Sequence, residues 1–291
     1  MGYSSRYHVA SLAAVFIALA IGILIGAAFG SDVLDDVGRD LEESLKGDLD
    51  EANAEIAALE AEVARQGRFA GTVFPALAES TLPGRSIALV AFGERPEAIR
   101  EDVLAALGPT GAELTQLAVV REPSDSGALA GLRGRGAGGA EGERRRIAGA
   151  VRLAGTSLVG GGPFYDVARE ALLASFSGEP VPVDGVVVAR QRPALDGPEE
   201  AATEALEEDF TQGLVAAGVP VVAVERTGSD PSSIGFFDSL GLTTVDNVDE
   251  VAGRVALVYA LRGSQGNFGI GEEAEELLPG LLRRPGATTA P

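Results

Sequence analysis

The side chains that could do acid–base or ligand chemistry in this chain are almost all carboxylates and arginines. His8 is the only histidine, Met1 the only methionine and Lys46 the only lysine, and there is no cysteine. His8 stands at the head of an apolar run near the N-terminus, far in sequence from everything else. Ser-His-Asp and Cys-His nucleophile arrangements and His/Cys zinc sites are therefore excluded from the rest of the chain. No Gly-x-x-x-x-Gly-Lys-Ser/Thr run occurs, which removes a P-loop. Gly134, Gly136 and Gly139 have Gly-x-Gly-x-x-Gly spacing, but they lie in a Gly- and Arg-rich stretch rather than between a strand and a helix. What remains is Glu225, and Asp246 with Asn247, each ending an apolar run that reads as a strand. On parallel strands they share the carboxyl edge, where open α/β sheets bind ligands, and so form a possible ligand or partner edge. Helix capping and turn hydrogen bonds are the competing use of the same residues. Asp246 and Asp249 lack the spacing of a calcium loop. No catalytic residue, metal ligand set or cofactor is assigned. The chain is expected to be non-enzymatic, with a carboxylate-dependent envelope hydrolase acting through Glu225 and Asp246 as the lesser alternative.

The elements that must position these residues begin near Pro83, where short apolar runs alternate with helical patterns. That alternation is the signature of an α/β fold with a largely parallel sheet. Strands are expected at 86–92, 113–120, 185–189, 219–225 and 242–245, with a weaker candidate at 156–159. Their Val, Ile and Leu density suits strands covered on both faces. Pro96, Pro198 and Pro231 suit the first position of helices, and Gly218 suits the end of the helix spanning 198–217. Asn247 and Glu250 have the spacing of a capping box. Residues Arg121 to Gly142 show no periodicity and read as a mobile loop, and Glu272, Glu273, Glu275 and Glu276 read as one solvated helix face. The fold class is a Rossmann-like, largely parallel sheet flanked by helices, preceded by a transmembrane helix and a coiled-coil stalk.

From Val9 to Phe29 the chain is uncharged, with Ser11 its only polar side chain. At about 1.5 Å per residue this run spans roughly 31 Å, a bilayer's hydrocarbon thickness. A cleaved signal peptide is the alternative, but signal h-regions run only about 7–15 residues. Arg6 precedes the helix, which places the N-terminus in the cytoplasm and the remainder outside. Ala18, Gly22, Gly26 and Gly30 recur every fourth residue, a face on which two such helices can pair. Beyond it, Leu45, Leu49, Ala52, Ile56, Leu59 and Val63 alternate steps of four and three, a heptad seam, and Gly67 and Gly71 mark its end. An amphipathic helix packed on its own domain is the competing reading, but the flanks Asp48, Asp50, Glu51, Glu55, Glu60 and Glu62 suit a solvated stalk. The expected organisation is a cytoplasmic tip and anchor at 1–30, the stalk at 31–70, an extracytoplasmic α/β domain at 71–282 and a disordered tail at 283–291. A parallel homodimer in the cell membrane follows. The formal net charge of −20 argues against nucleic acid as a partner.

The stretch His8-Val9-Ala10-Ser11-Leu12-Ala13-Ala14-Val15-Phe16, with Leu19-Ala20 and Gly22, resembles the actinobacterial family of the mycobacterial copper-transport protein MctB. So do Val224-Glu225, the run 244–249 (TVDNVD), the run 253–258 (GRVALV) and Gly266-Asn267-Phe268-Gly269. The resemblance implies copper export or homeostasis through an outer-membrane channel. A SteB-like branch implies instead a cell-envelope partner in division and peptidoglycan remodelling. Cuprous ion favours thiolate, thioether and imidazole ligands, which this chain almost wholly lacks. Its alternating strands and helices also lack the dyad pattern of a membrane barrel. The residues therefore point to a dimeric scaffold that links a membrane or cytoplasmic partner to envelope or division machinery, and any copper role is expected to be indirect. The alternative is a copper transport or efflux component, channel or channel-associated.

Overall fold

Alternation along two apolar strands organises the domain. In β1 (Ser86–Gly93) Ala88, Val90 and Phe92 face one side and Ile87 and Leu89 the other; in β4 (Gly185–Gln191) Val186 and Val188 oppose Val187 and Ala189. Both sets are buried, so these strands are central and need helices on both faces. The computed structural model describes residues 5–93, 96–122, 139–162, 165–191 and 197–280, without the side chains of 5–7, 28–40, 42, 140, 167 and 168. The tail expected at 283–291, Gly134, Gly136 and most of the loop expected at 121–142 lie outside the described residues.

After α1 (Ser5–Ala78) and β1 come α2 (Glu97–Leu107), β2 (Glu113–Val120), α3 (Ala140–Gly160), α4 (Tyr165–Leu172) and β3 (Leu173–Gly178). β4, α5 (Gly197–Ala216), β5 (Val221–Val224), α6 (Ile234–Ser239), β6 (Thr243–Val245), α7 (Val251–Leu261) and β7 (Asn267–Phe268) follow. The seven strands lie in the order β3-β2-β1-β4-β5-β6-β7. All neighbours are parallel except β2 and β3. The mixed α/β, mostly parallel sheet is as expected from the sequence.

By packing the chain divides into two units, Met1–Gln66 and Gly67–Pro291. The first holds one helix segment, His8–Ala27, of mean hydropathy 2.7, long and apolar enough to cross a membrane. In the second, Phe74 and Ala78 at the end of α1 bury against Val255 of α7. One face of the sheet carries α2 and α7 through Ile99, Val103, Leu107, Ala256 and Leu257; the other carries α3, α5 and α6 through Val151, Leu158, Phe210, Leu214 and Phe237. α3 and α5 cross at contact distance because both are glycine there. A Cβ on Gly155 would lie 2.4 Å from the Phe210 carbonyl oxygen, and one on Gly213 would lie 2.1 Å from that of Arg152.

Several expectations are corrected. Residues 156–159 are not a strand but part of α3, because buried Val151, Ala154 and Leu158 recur at helical spacing. α3 starts at Ala140, before the expected end of the loop. Gly67, the expected end of the seam, is where the second unit begins, although the helix α1 itself runs on to Ala78. Pro231 stands before α6, which starts at Ile234. Glu250, not Asn247, is the N-cap of α7, with no side-chain cap bond. The Glu272–Glu276 stretch is not helical; the backbone N–H groups of Glu275 and Glu276 donate to the Asn267 carbonyl.

Candidate functional site

Parallel strands β5 and β6 end side by side, which brings Glu225 and Asp246-Asn247 to one edge of the sheet. All three are buried. Glu225 follows β5 directly, and the chain turns back over it so that Ser232 and Ser233 meet its carboxylate. Ser232 Oγ donates to Oε1 at 2.9 Å; Ser233 N–H and Oγ donate to Oε2 at 2.7 and 3.1 Å. Burial pushes the Glu225 carboxyl above its usual range, and the charge of Asp246 adds to that push while the serine bonds oppose it.

Asp246 holds the segment after β7. Its Oδ1 accepts from Ile270 N–H at 2.9 Å and its Oδ2 from Gly271 N–H at 2.7 Å. Gly269 has φ +144°, and a Cβ there would lie 1.7 Å from Asp246 Oδ1, so only glycine lets this carboxylate reach its donors. Asn247 is wholly buried. Its carbonyl accepts from Glu250 N–H at 2.9 Å, while its amide makes no bond among the described residues. The two carboxylates thus close turns, Glu225 holding the segment at Ser232–Ser233 and Asp246 the segment at Ile270–Gly271.

Two arginine networks flank this edge. Arg226 Nε donates to Asp102 Oδ2 at 3.0 Å, and Arg254 Nη2 reaches Asp102 Oδ1 at 3.4 Å and the Asp249 carbonyl at 2.9 Å. Arg190, near the end of β4, is held against wholly buried Glu207 of α5 by Nε bonds of 3.0 Å to both oxygens and an Nη2 bond of 2.7 Å. Its guanidinium also lies 4.4 Å from the centre of the Phe236 ring. A cavity of about 370 Å³ occupies the opposite, amino edge, lined by residues that include Val219, Pro220, Leu242, Thr243 and Ser264, none of its lining side chains charged. No group of three or more His, Cys, Asp or Glu able to hold a metal occurs among the described residues.

The serine pair that binds Glu225, the Arg190–Glu207 pair and the need for Gly269 are not marked by any spacing in the sequence. The Gly266–Gly269 run is their nearest signal. On the first unit, Ala18 is exposed on α1, Gly22 and Gly26 have open space where a Cβ would stand, and Gly30 is in the stretch without described side chains. The seam residues Leu45, Leu49, Ala52, Ile56, Leu59 and Val63 are all exposed on the single chain.

Residues 3–279 match the model of a family described as copper transport outer membrane protein, MctB. No curated protein matches the chain.

Proposed function

The chain belongs to the MctB copper transport outer membrane protein family, and on that premise we propose that it works as a non-enzymatic dimeric scaffold anchored in the cell membrane. Its N-terminus faces the cytoplasm and its sheet domain lies outside, linking a membrane or cytoplasmic partner to envelope or division machinery. The observation that carries this reading is the seam on α1, where Leu45, Leu49, Ile56, Leu59 and Val63 are 54–68% exposed on one copy. Burying a Leu, Ile or Val side chain contributes about 1.5–3 kcal/mol, so several together offset the repulsion between acidic flanks. A Cβ added at Gly22 or Gly26 would meet nothing within 4 Å beyond its own stretch of helix, and close approach of a second helix gives their small size a purpose. On this reading residues 31–70 form a coiled-coil stalk and 71–282 a Rossmann-like domain, which the strand order supports.

The copper role in this reading is indirect. Cuprous ion calls for sulfur or imidazole ligands, and the chain offers one methionine and one histidine. The internal bonding of Glu225 and Asp246 supports a non-enzymatic domain. A second reading, a copper transport or efflux component that is or joins a channel, is favoured by the family's description. Because the chain has no cysteine, the seam can be tested by disulfide cross-linking in membranes. I56C and V63C on the seam should cross-link, while A54C and A61C on the opposite helix face should not. Equal cross-linking at all four positions, or none, refutes the paired stalk.

A further inference from the structure

The sheet treats its two edges differently. At one, β7 is two residues long and its outer side is occupied. Phe268 bridges Glu276, Gly269 N–H donates to the Glu276 carbonyl, and the N–H groups of Glu275 and Glu276 donate to Asn267. At the other, β3 carries the six residues LASFSG with β2 on one side only. Among the described residues, the backbone of 174–178 makes no hydrogen bond away from β2.

Sheet edges are usually blunted by lysine, proline or a bulge, because a bare row of N–H and C=O groups pairs with any extended chain. The strand β3 has no charged residue and no proline; Pro180 and Pro182 come only after it. Its register irregularity falls at its start, between the partners of Val119 and Val120, so Ser175–Gly178 run regularly along β2. Ser175 and Ser177 are exposed. Phe176 is half-buried, edge-on to Tyr165 at 5.4 Å between ring centres, which leaves part of an aromatic surface beside the open edge.

We propose that the outer side of β3 takes an extended segment of a partner protein as an added strand, apolar at alternate positions beside Phe176 and basic at its flanks. Main-chain bonds give such strand addition its affinity, and alternate side chains its selectivity. The charge follows from the chain's formal −20 and from exposed Glu179 just past the strand's end, while at its start exposed Glu170 is balanced by its neighbour Arg169. A second copy fits poorly. Antiparallel pairing of two β3 edges would set Glu179 of each near both Arg169 and Glu170 of the other, so charge gives that pairing no net gain. The proposal rests on the reading of the outer domain as the part that recognises a protein partner, and it names the edge and the partner's chemistry.

The test uses the full chain in zwitterionic nanodiscs with three peptides: alternating lysine and valine, the same peptide with a central proline, and its glutamate counterpart. The lysine peptide should bind and slow amide exchange at 174–178 by about tenfold, while the other two should not. The variant S175K/S177K, shown to be folded by an unchanged melting curve, should bind roughly tenfold more weakly, and S175T/S177T should bind as the parent does. Equal binding of the proline peptide, unchanged exchange at 174–178, or no binding overturns the proposal. Its failure leaves cross-links at I56C and V63C in place, whereas failure of the scaffold reading removes those cross-links without altering exchange along β3.

Discussion

Replacing Glu225 by alanine and by glutamine separates a turn-closing carboxylate from a chemically active one. In E225A the buried Ser233 N–H loses its acceptor, and the Ser232 and Ser233 hydroxyls lose theirs. The hydroxyls can turn to other acceptors, but the N–H cannot. An orphaned buried donor costs about 1–3 kcal/mol, and the vacated side-chain volume adds to this, for a total of about 2–4 kcal/mol. In a domain of this size that is a fall in Tm of roughly 4–16 °C. E225Q keeps an oxygen for Ser233 N–H and removes a charge that burial disfavours, so it should melt within about 1 kcal/mol of the parent at neutral pH. The pH dependence gives a second readout. Because burial raises the Glu225 pKa in the folded state, the folded chain holds that proton more tightly than the unfolded one. Stability therefore falls as pH rises from the ordinary glutamate range through the raised value, then levels off. E225Q should lack that slope. The assay is thermal unfolding of the full chain in micelles, followed by circular dichroism between pH 4 and 8 (a range set around the usual glutamate value of about 4.3). Equal destabilisation by both variants, with no change of slope in E225Q, would refute the reasoning, because the charge itself would then be required.

Two further predictions concern the packing that carries this edge. E207A should destabilise the domain by about 2–4 kcal/mol, since it leaves half-buried Arg190 with only Glu204 as an ion-pair partner among the described residues, while E207L/R190L should recover most of that loss in the same melting assay. G213A, whose Cβ would stand 2.1 Å from the Arg152 carbonyl oxygen, should force α3 and α5 apart and cost about 1–3 kcal/mol; G218A, outside that crossing, should leave the α3–α5 contact unchanged when amide exchange on both helices is measured.

The central strands were legible because burial on both faces leaves dense apolar runs, as in Val186-Val187-Val188. The strand β3 was not, because an exposed edge needs no apolar run and LASFSG supplies none. The run Thr156-Ser157-Leu158-Val159 imitates a short strand, and only its phase with Val151 and Ala154 reveals α3. Asn247 and Glu250 have capping-box spacing, yet the chain turns so that the Asn247 carbonyl, not its side chain, receives the Glu250 N–H. Spacing alone does not distinguish the two. For the candidate site, the sequence could place Glu225 and Asp246 on one edge because parallel strands end together. It could not show that Ser232, Ser233, Ile270 and Gly271 would occupy their oxygens, since those contacts depend on how two turns fold back.

The claim that any copper role runs through a partner rather than through ligands of this chain is tested by competition for cuprous ion. The full chain in nanodiscs is titrated against a coloured cuprous chelator under reducing, oxygen-free conditions. The chelator's absorbance should remain unchanged at equimolar protein, because one methionine and one histidine do not make a ligand set. Stoichiometric withdrawal of cuprous ion from the chelator by the wild-type chain would contradict the account.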